Sequence, residues 1–116
     1  MIFFKKPSFI LYNNSQVHNR QAGDGTSIPF REVRFPNGDH PTQAPVSPFK
    51  IYEIHFYLTH LYQYNLPLLS SVTVINHLLA VDMVTYISNY NPGVNIPINR
   101  SQRIHMIKLA ICCVVL

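Results

Sequence analysis

The sequence predicts a mainly α-helical small single domain with a loop-rich N-terminal half. Three observations predict it. The chain has 116 residues, enough for one modest core. Its prolines crowd the first half, where "FPNGDHPTQAPVSP" holds four of them and a glycine; proline lacks a backbone donor and turns its predecessor away from helix. Beyond Phe49, apolar residues recur at helical spacing. The alternative is an α+β fold, with a short hairpin pairing residues 28–35 with 49–64.

Residues 1–48 read as an irregular Pro/Gly-rich segment. "NNSQVHNRQAGDGTS" is polar and has no period. Within "IPFREVRF", Phe30, Glu32 and Arg34 alternate against Arg31, Val33 and Phe35, a weak strand pattern. Residues 49–116 read as the helical region. Over 50–64, Ile51, Ile54, Leu58 and Leu61 form a helical stripe, although Tyr52, Ile54, Phe56 and Leu58 would equally share one face of a strand. A second helix is expected over 66–88. Pro67 suits its first turn, with Asn65 as the cap. Leu68, Val72, Ile75, Leu79, Met83 and Tyr86 make its stripe, and "NYNPG" stops it. A third helix is expected over 99–114, opened by Asn99 and Gln102 as a capping box.

Composition narrows the function classes. Apolar residues make up 47% of the chain and charged residues only 12%, against about 25% charged in an ordinary globular protein. That balance suits a membrane-associated chain better than a disordered one. The net charge of +4 is scattered, with no basic run of the kind that binds nucleic acid. From Met83 onward there are three cations, Arg100, Arg103 and Lys108, and no carboxylate. These three are the candidate contacts to an anionic lipid surface.

The last residues, Cys113-Val114-Val115-Leu116, match the pattern of a prenylated C-terminus. A transferase needs a thiolate at a set distance from a free carboxylate, and a terminal leucine favours geranylgeranyl. Cys113 is therefore the candidate lipidation site and Cys112 a candidate palmitoyl acceptor, the second signal that stable anchoring requires. The apolar stretch 66–87 is a candidate membrane span. As one helix it would reach about 33 Å, against a hydrocarbon core of about 30 Å. Tyr62, Tyr64, Tyr86 and Tyr90 flank it like interfacial aromatics, while Asn76, His77 and Asp82 oppose insertion. Either device would place the protein at the cytoplasmic face of a membrane.

Pro45, Pro48 and Lys50 fit P-x-x-P-x-K, a ligand pattern for an SH3-type domain. No metal site, cofactor or small-molecule substrate is expected. His55 and His60, five residues apart, would sit about 140° from each other on a helix. Gly23-Asp24-Gly25 reads as a turn, and no nucleophile elbow, phosphate loop or carboxylate pair points to an enzyme. Three readings follow: a protein held at a membrane by its C-terminal third; a soluble interaction module using the Pro-rich segment 41–50; or an orphan open reading frame product with no selected function.

Overall fold

The computed structural model describes residues 7–45 and 64–113. Those residues form a mainly helical small domain, as expected, and none of them is in a β-strand. The helices are α1 (Pro7–Arg20), α2 (Val72–Asn76), α3 (Ala80–Tyr90) and α4 (Arg100–Ile111). The expected helix over 50–64 lies outside the described residues. α4 packs against each of the other three helices.

α4 starts as its sequence directs. The Asn99 side chain accepts from the backbone N–H of Ser101 at 2.7 Å and of Gln102 at 3.3 Å, supplying two of the acceptors that a helix start lacks. Ile107 and Ile111 are buried on its inner face. The helix stops at Ile111, short of the expected 114. Cys112 adopts a left-handed conformation, φ 64°, and the Cys113 N–H turns back to the Lys108 carbonyl at 2.9 Å. This is the hydrogen-bonded closure of a helix C-terminus, made here with cysteine where glycine is usual.

The irregular reading of residues 1–48 needs one correction: residues 7–20 are helix α1. Pro7 fits a first helical position. The polar run that hid α1 holds its docking groups. Gln16 donates to the Ala110 carbonyl at 2.8 Å. Asn19 is fully buried and donates to the Ile111 carbonyl at 3.1 Å and the Arg31 carbonyl at 3.0 Å, while accepting from the Arg31 N–H at 2.7 Å. α1 therefore covers the last carbonyls of α4, which have no partner within their own helix. After α1 the chain runs through turns. Gly25 is required there: its φ is +82°, and an added Cβ would lie 2.5 Å from the Ser70 carbonyl oxygen. Phe30, Val33 and Phe35 are then all buried, with no strand among the described residues, so the alternation expected over 28–35 is not realised; the expected hairpin partner, 49–64, lies outside the described residues but for Tyr64.

The largest difference concerns residues 66–88. The chain is irregular up to Ser71, helical for five residues, broken at His77–Leu79, and helical again from Ala80. Ser71, not Asn65, is a cap: its hydroxyl accepts from the Val74 N–H. The break has a physical cause in α4. Arg100 Nη2 donates to the Asn76 carbonyl at 2.8 Å and the Leu78 carbonyl at 3.0 Å. A continuous helix would offer those carbonyls to residues 80 and 82. Among the described residues, no helix is long and apolar enough to cross a membrane.

Three of the tyrosines read as interfacial belts pack against the protein instead. Phe35 meets Tyr64, Tyr86 and Tyr90 edge-on, with centroids 5.1, 6.1 and 4.8 Å away. Tyr86 donates to the Pro67 carbonyl at 2.5 Å and Tyr90 to that of Val33. Burial pushes the Tyr86 hydroxyl's pKa well up, so it stays a protonated donor. Tyr62 lies outside the described residues.

Candidate interaction surface

The break between α2 and α3 makes an elbow with a groove of about 390 Å³. Pro67, Val74, Leu78 and Leu79 supply its apolar lining; Thr73, His77 and Asp82 supply the polar part. That volume lies near the low end for ligand clefts. Leu79 occupies the N-cap of α3, and no side chain caps the helix there. Leu79 and the following Val81 are each 67% exposed, and Val84, one turn on, is exposed too. The elbow is rigidly held. Leu78, between the two helices, is buried; Arg100 pins the carbonyls on either side of His77; and the His77 N–H bonds the Thr73 and Val74 carbonyls. Its ring Nδ1 also donates to Thr73 O at 2.8 Å.

The lipid-facing residues expected from the sequence lie elsewhere, with other partners. Arg100 braces the elbow. Arg103 Nε donates to the Pro97 carbonyl at 2.6 Å. Lys108 is 8% exposed. Cys113 is 2% exposed and belongs to the core, so a transferase would reach its thiol only after the last turn opened. Cys112 is half-buried, with Arg20 Nη2 3.6 Å from its sulfur. Val114–Leu116 lie outside the described residues, as do Pro48 and Lys50; Pro45 is described and half-buried.

Two further places carry polar chemistry or space. Glu32 accepts from His40 Nδ1 at 2.8 Å and from the Thr42 N–H and hydroxyl at 2.9 and 2.6 Å, which ties the 32–42 loop closed. Burial raises the Glu32 pKa, but the Thr42 and His40 bonds and the His40 charge outweigh it, and the carboxyl is held below its usual value. A second groove, of about 280 Å³, is lined by Asn91, Met106, Leu109 and Ala110. No cluster of three or more metal-ligating side chains occurs among the described residues.

Fold and surface together define a small helical domain with an exposed aliphatic elbow. The chain belongs to the Mug135-like C-terminal domain family: the profile described as "Mug135-like, C-terminal domain" matches residues 17–114. The match takes in the last turn of α1, with Asn19, and runs past Cys113. Membership in a family sets aside the orphan reading. That description names no activity, ligand or partner. No match was found among curated proteins or among solved structures.

Proposed function

We propose that this domain is a non-enzymatic interaction module whose contact surface is the α2–α3 elbow. The observation that carries the reading is Leu79. A helix N-cap favours Ser, Thr, Asp or Asn, whose oxygen bonds an orphan N–H; leucine supplies none. Leu79 also buries little of its own surface. It therefore serves neither the start of α3 nor the core, while it lines a groove beside exposed Val81. A local rule broken without gain to the fold is the mark of a functional position.

A protein partner is favoured over the membrane expected from composition. Arg100 and Arg103 are committed to backbone carbonyls, Lys108 is buried, and the elbow carries the Asp82 carboxylate, which anionic lipid would repel. The reading is tested by methyl NMR of the full chain titrated with isopropanol as an apolar probe. Saturating shifts should concentrate on the methyls of Val74, Leu79 and Val81. Ile98, 92% exposed and away from either groove's lining, is the internal reference. Equal, non-saturating shifts at Ile98 and Leu79 would overturn the proposal.

A further inference from the structure

We infer that the elbow groove takes a peptide segment of a partner protein that carries an aliphatic side chain next to a lysine or arginine. The inference rests on the elbow being the contact surface, and its argument is the polarity of the groove. Pro67, Val74, Leu78 and Leu79 offer apolar contact. The polar lining accepts hydrogen bonds. Asp82 brings a carboxylate with no ion-pair partner among the described residues. His77 spends its Nδ1 proton on the Thr73 carbonyl, which leaves Nε2 as the ring nitrogen without a hydrogen-bond partner among the described residues. The Thr73 hydroxyl accepts as well as donates.

Among the described residues, the arginines at the start of α4 do not answer this lining. The Arg100 guanidinium, the nearest by its bonds to Asn76 and Leu78, donates to those carbonyls and contacts the Met83 sulfur. Arg103 donates to Pro97. Beside the Asp82 carboxylate the complement is thus a cationic group with donors only, which among side chains fully charged at neutral pH means lysine or arginine. The groove's volume suits a few side chains of a short segment, not a whole helix laid along it.

The test selects displayed random 12-residue peptides on the immobilised full chain and measures the enriched peptides by fluorescence anisotropy. The proteins compared are wild type, Leu79→Asp, Asp82→Asn and Asp82→Lys, each first shown to unfold cooperatively. Enriched peptides should pair an aliphatic residue with Lys or Arg. Leu79→Asp should weaken them at least tenfold and Asp82→Asn at least threefold. Replacing the peptide's cation by Glu should weaken binding to wild type and restore it on Asp82→Lys. Peptides lost on Leu79→Asp but indifferent to their own charge and to Asp82 would overturn this inference and leave the contact surface standing. Failure to enrich any peptide, or peptides that bind Leu79→Asp as well as wild type, would overturn both. Flotation of the wild type with phosphatidylserine vesicles, or self-association, when either is abolished by Leu79→Asp and no peptide competes, would overturn the peptide inference and leave the elbow as the contact surface.

Discussion

At the residue scale, single polar side chains hold segments together that hydropathy alone would leave apart. Asn19 joins α1, the 31–33 segment and the end of α4 through three hydrogen bonds while fully buried. Asn19→Ala leaves the Arg31 N–H and two carbonyls without that partner. At about 1–3 kcal/mol for each buried group left unsatisfied, the variant should lose about 3 kcal/mol in urea unfolding. Glu32 plays the same part in the 32–42 loop and makes it sensitive to acid. Its folded pKa lies below the ordinary glutamate value, so its stabilisation is full above the unfolded value and is lost as pH falls through the folded one. Glu32→Gln should therefore lower stability at pH 7, and the gap from wild type should close as unfolding is measured toward pH 3. A constant gap across that range would assign the effect to packing.

At the scale of elements, what the sequence reveals depends on where each helix end gets its partners. The start of α4 was legible because Asn99 caps its own neighbours, two and three residues on. The break between α2 and α3 was not, because the groups that hold it open belong to Arg100, 24 residues beyond Asn76. The stripe Leu68, Val72, Ile75, Leu79, Met83, Tyr86 assumed one continuous register. With Leu68 ahead of any helix and the chain turning at His77, Ile75, Met83 and Tyr86 are buried while Leu68 and Leu79 are exposed. The candidate surface was hidden for the same reason: in an unbroken helix, Leu79 reads as core. α1 was missed because its described docking groups, Gln16 and Asn19, are amides, which carry no hydrophobic period. Local pattern presents Cys113 as a candidate lipid address but carries no sign that the unmodified thiol is buried at the end of α4. Arg100→Met keeps the aliphatic stem but removes the two carbonyl bonds. The elbow should loosen, with faster amide exchange at Leu78–Asp82 and a loss of about 2 kcal/mol, the range of a hydrogen bond to a charged donor.

At the scale of the molecule, the described residues form one helical unit built on α4, with α1 over its C-terminus and the elbow braced from its N-terminus. The fold class was legible because composition, proline distribution and helical spacing all bear on it together. The proposed contact surface was not, because it exists only through the tertiary break. Leu79, on this reading, is kept exposed for binding and not for folding, and Leu79→Asp separates the two when thermal unfolding is measured alongside binding of the selected peptides. An aspartate at this N-cap adds about 1 kcal/mol, against about 0.5 kcal/mol for the little apolar contact that a two-thirds-exposed leucine gives up. The account predicts equal or higher stability with at least tenfold weaker binding. Stability reduced by more than about 1 kcal/mol, the scale of a leucine with a real share in the core, with peptide binding unchanged, would contradict it.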